Sequence, residues 1–283
     1  MTAPDRFAEL LARDEAEIDL ARACLLIAED AYPGLDVEGY LGEIERLARR
    51  LAGRLAPAAG LEERVAALNE FLFDELGFAG NARDYYDPRN SYLNQVLDRR
   101  TGIPITLSIV YLEIGRRVGL ALEGVSFPGH FLVRLRLRGA MLVLDPFSGG
   151  DALAESELRV RLARVIPEGA TGGVPVDALP LDSFLEAAGK RQILARLLRN
   201  LKGIYREAGQ PQRQLGVLNR MLVVAPEAHG ELRDRGYLYQ QMECYRAALE
   251  DLQAYSALAP EAPDIDDVRA RLLELSARCA RLN

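Results

Sequence analysis

At 283 residues the chain is long enough for one large or two modest domains, and 49% hydrophobic with 27% charged residues is ordinary for a globular core and surface. A formal net charge of −7 argues against a general nucleic-acid or anionic-membrane surface, since both need clustered positive potential. The three cysteines, Cys24, Cys244 and Cys279, are scattered, with neither a CxxC spacing nor a histidine partner. No disulfide framework, metal site or cofactor is therefore expected, and each cysteine sits in a helical apolar pattern that reads as core.

The N-terminal stretch is acidic and helical in pattern, with no basic segment leading into an apolar one. No apolar run approaches the roughly 18 residues of a membrane span, so a cytoplasmic compartment without membrane attachment is expected. From Asp5 to about Leu76 apolar residues recur at helical spacing: Leu10, Leu11, Ile18, Ala21 and Leu25, then Leu41, Ile44, Leu47 and Leu51, then Val65, Leu68, Phe71 and Leu72. Breaks at Pro33-Gly34 and at Pro57 to Gly60 predict three helices. A polar, turn-rich loop follows from Gly80, with Asn81, Asp87-Pro88 and Asn90, and then a short helix around Tyr92 to Leu97. Pro104 suits the first turn of the next helix, which should run to about Val118 with Gly119 just beyond its end.

A strand is predicted over Glu123 to Phe127, and then "FPGHFLVRLRLRGAMLVLDPFSGG" reads as a hairpin. Alternation from His130 to Arg138 puts Val133, Leu135 and Leu137 on one face, and His130, Leu132, Arg134 and Arg136 on the other. If Arg138-Gly139 is a two-residue turn, Leu137 pairs with Ala140 and Leu132 stands opposite Asp145. His130 and Asp145 are then diagonal neighbours, roughly 7–8 Å apart at Cα. A turn at Gly139-Ala140 keeps them on one face but too far apart to bond, and a three-residue loop puts them on opposite faces. Spacing alone leaves the three registers open.

Residues 166–183 are rich in Gly, Pro and small side chains, which predicts a linker between a domain over residues 1–165 and another over residues 184–283. In the second domain Pro226 and Pro260 are 34 positions apart, and aligning the segments on them superposes Leu198 on Leu232, Tyr205 on Tyr239 and Leu218 on Leu252. That is the period of tetratricopeptide repeats. The later copy has Gly236 and Ala248 where helices must approach, whereas the earlier one has Lys202 and Gln214. A last helix from Asp266 to Leu282 should cap the stack. His229, the only other histidine, opens a repeat helix and reads as a surface or packing residue.

The segments "NARDYYDPRNSYLNQVLDRRTGIPITLSIVYLEIGRRVGL", "GVSFPGHFLVRL" and "LVLDPFSGG" resemble the bacterial SirB-type proteins, a transglutaminase-like domain followed by tetratricopeptide repeats. The resemblance implies an α+β fold: a helical N-terminal part and a small antiparallel sheet of transglutaminase-like (papain-like) type, then an all-α repeat domain. It also implies a cysteine at a helix start, a histidine on the following strand and an aspartate on the next. His130 and Asp145 match the last two. Where the cysteine should stand the chain reads Pro104, Ile105, Thr106, and the SirB-type group is similar in carrying a hydroxyl residue there.

A threonine hydroxyl is a poor nucleophile without a dedicated base and oxyanion hole, whereas a thiol ionises readily beside an imidazolium. Thr106 is thus a candidate nucleophile or a helix-start residue bonded to backbone. Asn81, Tyr85, Asn90 and Asn94 are candidate cleft residues beside His130, or else turns and caps holding an irregular loop. Two functional readings follow. In one the domain lacks its nucleophile and is a binding or regulatory module, with the repeats offering a concave surface to a protein or peptide partner. In the other it is a hydrolase or acyltransferase in which Thr106 or a water is activated by His130, oriented by Asp145.

Overall fold

The structure, a computed structural model, describes residues 3–167 and 174–281. The first compact unit spans Met1–Leu197 and the second Leu198–Asn283. The first opens with four helices: α1 (Ala3–Leu11), α2 (Leu20–Glu29), α3 (Val37–Ala52) and α4 (Leu61–Asn69), the last continuing as a π-helical turn over Glu70–Glu75. The first predicted helix is therefore two. Asp19 ends the continuity: its side chain accepts from the Arg22 N–H and caps α2, and the polar run before it closes into a 3-10 turn over Glu15–Glu17. Ile18, Leu25, Ile44, Leu47, Leu51 and Leu68 are fully buried, so the apolar spacing that predicted the helices also marks their inner faces.

The turn-rich loop carries a short strand β1 (Ala79–Gly80) and is followed by α5 (Leu93–Arg99), β2 (Thr101–Gly102) and α6 (Pro104–Arg117). β1 and β2 form a parallel pair. α6 starts with proline at its first position, and Gly119, at φ +82, follows its end. The main sheet has the order β3-β4-β5-β6, made of β3 (Leu122–Val125), β4 (Leu132–Leu137), β5 (Ala140–Asp145) and β6 (Asp151–Ala152), all antiparallel. Leu137 pairs with Ala140 and Val133 with Leu144, which is the Arg138-Gly139 register. Gly139, at φ +80, supplies the left-handed residue this turn uses.

Both faces of the sheet are covered. α6 packs against β3 and β4. On the other face Leu132 and Val143 join Val125, Phe127, Leu158, Leu162 and Leu185 in one cluster, the two central leucines coming from α7 (Glu155–Val165). After α8 (Leu181–Phe184) the chain returns to the sheet: Ala187 bridges to Val125, the Ala188 N–H donates to the Gly124 carbonyl, and Arg134 of β4 donates to the Leu185 carbonyl and Glu123. Residues 184–197, expected in the second domain, thus fall in the first compact unit, and the backbone of Ala187 and Ala188 completes its sheet edge. Residues 168–173 of the predicted linker lie outside the described residues.

α9 (Lys190–Glu207) is followed by α10 (Pro211–Val224), α11 (His229–Gln241), α12 (Tyr245–Leu258) and α13 (Ile265–Arg281). In the second unit Ala248, Leu252, Tyr255, Val268 and Leu275 form one buried cluster. Gly236 lies where a Cβ would come within 2.8 Å of Leu252, so the glycine lets α11 approach α12. Lys202, at the equivalent place in the earlier copy, donates to both Glu231 and Asp234 at 2.5 Å, and Arg233 continues the chain of ion pairs to Asp264 at 2.5 Å. Where the later copy packs a glycine, the earlier one reaches across to α11 with a charged side chain. Of the cysteines expected in core, Cys24 is buried and its thiol is pushed up by burial, but Cys244 is exposed at the start of α12. His229 opens α11, half-buried.

Candidate functional site

His130 stands in the turn before β4, placed there by Gly129 at φ +69, whose missing Cβ would otherwise meet Val165 of α7 at 2.7 Å. Its Nε2 lies 2.9 Å from Asp145 Oδ1, the contact that the hairpin register permits. Asp145 is 0% exposed, yet each of its oxygens has two donors. Oδ1 accepts from His130 and from the Phe147 N–H at 3.1 Å, and Oδ2 accepts from Ser148 Oγ at 3.1 Å and from Arg161 Nη1 at 2.7 Å. Burial alone would raise this carboxyl. The hydrogen bond and charge of His130, followed by those of Arg161, overcome it and hold the group down at about 2.

A carboxylate with all four lone-pair directions taken accepts the imidazole N–H without taking its proton, which assigns the His130 hydrogen to Nε2. In the neutral ring Nδ1 is then the lone-pair nitrogen, and among the described residues it has no hydrogen-bond partner. The ring is 19% exposed. Phe147 packs edge-on to it at 5.8 Å, Tyr85 edge-on to Phe147 at 6.4 Å, and Tyr86 edge-on to Tyr85 at 5.3 Å. An aromatic series thus runs from the imidazole to Tyr86, which is 68% exposed. Burial pushes the Tyr85 phenol up, so it meets the site as a neutral hydroxyl.

The other candidates are placed differently. Thr106 is 0% exposed, and its hydroxyl donates to the Asn90 carbonyl at 2.7 Å while accepting from the Ile103 N–H at 3.1 Å. It closes the first turn of α6 and ties it to the loop, and the hydroxyl has no proton left for a base. Asn90, 0% exposed, bonds the loop internally: its amide donates to the Asp84 carbonyl at 2.7 Å and its oxygen accepts from Asn81 at 3.2 Å. Asn94 is 2% exposed, so neither Asn90 nor Asn94 lines an open cleft. Asn81 is half-buried and, besides bonding Asn90, accepts from the Asp84 N–H. Of the four cleft candidates only Tyr85 belongs to the aromatic series beside His130.

Two residues escaped the sequence reading. Arg161 reaches Asp145 from α7, and Asn69, at the start of the π-helical turn, accepts from Tyr111 at 2.7 Å and donates to the Gly150 carbonyl at 3.0 Å, holding the loop after Asp145. No metal-binding group of His, Cys, Asp and Glu occurs among the described residues, and no helix among them is long and apolar enough to cross a membrane. A cavity of about 370 Å³ bordered by Ile18, Glu113, Glu123 and Ile193 contains none of the candidates.

A helix start, a histidine before one strand and an aspartate closing the next are thus in place, and the transglutaminase-like superfamily model matches residues 38–199. The chain belongs to that superfamily. A tetratricopeptide-repeat model matches residues 201–273 of this transglutaminase-like protein. It is 41% identical over 263 residues to a UPF0162 protein of Xylella fastidiosa, covering 93% of this chain and 92% of the relative. It is 32% identical over 262 residues to a UPF0162 protein of Pseudomonas aeruginosa, 93% of each chain. With Protein SirB1 of Salmonella typhimurium it shares 30% identity over 231 residues, 81% of this chain and 82% of that one. The expected SirB-type kinship, with its α+β domain and following repeats, is therefore correct.

Proposed function

We propose that this transglutaminase-like protein is a binding or regulatory module without acyl-transfer chemistry. The observation that carries this reading is Thr106: at the helix start where the superfamily arrangement calls for a thiol, the hydroxyl is buried and committed to the Asn90 carbonyl. Cys24 cannot substitute, since it is buried and its thiol is pushed up by burial. In this reading the imidazole Nδ1 and the aromatic series through Phe147 and Tyr85 bind a ligand group, and the repeats bind a protein partner, as such repeats typically do.

A second reading has its own support. A histidine with its tautomer fixed by a buried carboxylate and a free Nδ1 is arranged as a general base, and a water entering the cleft could serve as the nucleophile of a hydrolase. Profiling the full chain against amide and ester libraries beside His130→Ala separates the two. No turnover in either protein is the expected result, and turnover that the substitution abolishes would sink the binding reading. For the repeats, crosslinks to captured partners should fall within residues 198–283; crosslinks confined to residues 1–197 would remove their role.

A further inference from the structure

We propose that Arg161 is a positioning residue of the His130 site: it keeps the buried Asp145 charged and oriented, and so fixes the orientation of the His130 ring. The inference rests on the reading that His130 is the group that meets a ligand. Its physical basis does not depend on which ligand that is.

The geometry is specific. Leu158 and Leu162 of α7 pack on the face of the sheet that carries Leu132, and Arg161, on the same helix, sends its guanidinium to Asp145 on that face. His130 and Arg161 approach opposite oxygens of one carboxylate, so the guanidinium acts on the imidazole only through Asp145 and not at Nδ1. Arg161 is 28% exposed while Asp145 is 0% exposed. A carboxylate without access to water keeps its charge only where a partner compensates it, and taking away one side of such a pair leaves the other stranded. His130 supplies a hydrogen bond and, only when protonated, a charge, whereas Ser148 and the Phe147 N–H are neutral. Asp151, the cross-strand partner of Asp145 on β6, is exposed and carries the wrong sign to help. Among the described residues, Arg161 is therefore the permanent positive charge on this carboxylate.

A protonated Asp145 would place a hydroxyl where the imidazole N–H now donates. The hydroxyl competes with that N–H, and the hydrogen bond that sets the orientation of the ring is lost. The sign follows from the carboxyl's lowered value. The stability it contributes is present above its ordinary value of about 4 and is lost as pH falls through about 2. Removing the guanidinium raises the folded-state value, so the loss begins at higher pH.

The test uses the full chain with His229→Gln to leave a single histidine signal. Nuclear magnetic resonance follows the His130 Nε2–H proton as pH is lowered, alongside acid unfolding. In the parent protein the hydrogen-bonded proton should persist until the carboxyl titrates at about 2, whereas in Arg161→Met it should disappear at least about one pH unit higher, and Arg161→Lys should restore most of the difference. Should the methionine variant not fold at neutral pH, Arg161→Gln takes its place in the same comparison. An unchanged profile in the folded neutral variant overturns the proposal, as does a lysine variant no better than the neutral one, since that would make the role one of packing. No ligand is used, so the result stands apart from the cleft reading, which fails by its own route if His130→Ala alters neither binding nor turnover.

Discussion

A threonine hydroxyl has one proton to give, and Thr106 gives it to the Asn90 carbonyl while accepting from the Ile103 N–H. Both partners are backbone groups that no water reaches, so Thr106→Val, which keeps the shape and removes both bonds, should destabilise the protein by about 1–3 kcal/mol in urea unfolding. Thr106→Ser should cost less. Ligand binding at His130 should be unchanged in both, because the hydroxyl works behind the loop and not in the cleft. A loss of binding without a loss of stability would return Thr106 to the list of reacting groups. At this scale the sequence was informative where a period or a turn fixes geometry. Alternation along β4 and a glycine turn brought His130 to within one register choice of Asp145. It was silent on Arg161, which meets Asp145 from a helix whose path over the sheet no spacing reveals.

Elements meet in two ways in the repeat unit. α11 and α12 approach closely because Gly236 has no side chain, and a Cβ there would sit 2.8 Å from Leu252. Gly236→Ala gains helix propensity but forces the leucine aside, and overpacking of this kind costs about 1–3 kcal/mol. The net expectation is a lower unfolding midpoint for the second unit with little change in the first, read by calorimetry on the full chain; a raised midpoint would show that Leu252 moves freely. Lys202, by contrast, spans to α11 through Glu231 and Asp234. The period of 34 was legible through both copies because apolar positions recur, whereas the ion pairs were not, since charges that meet across helices obey no period. The break in the first helical stretch has a related cause: the apolar spacing continues past Asp19, and only the aspartate's capping bond marks it.

For the whole molecule the composition shift at residues 166–183 gave a reasonable signal for the end of a domain and a poor one for its boundary. Gly, Pro and small residues report a chain without regular structure, not which side the following residues join. Residues 185–188 join the earlier side, through Ala187 on Val125, Ala188 on Gly124 and Leu185 on Arg134. A fragment ending at residue 183 should therefore be less soluble than one ending at residue 197, as light scattering at equal concentration would read, and equal behaviour would show that this cover is dispensable. The reason lies in β3. It is the outer strand of its sheet, and Leu185 to Ala188 occupy a side where hydrogen-bonding groups would otherwise stand open to any other extended chain. The segment that leads toward the repeats thus also covers an otherwise open strand edge, and parting the two halves at their most obvious seam would uncover it.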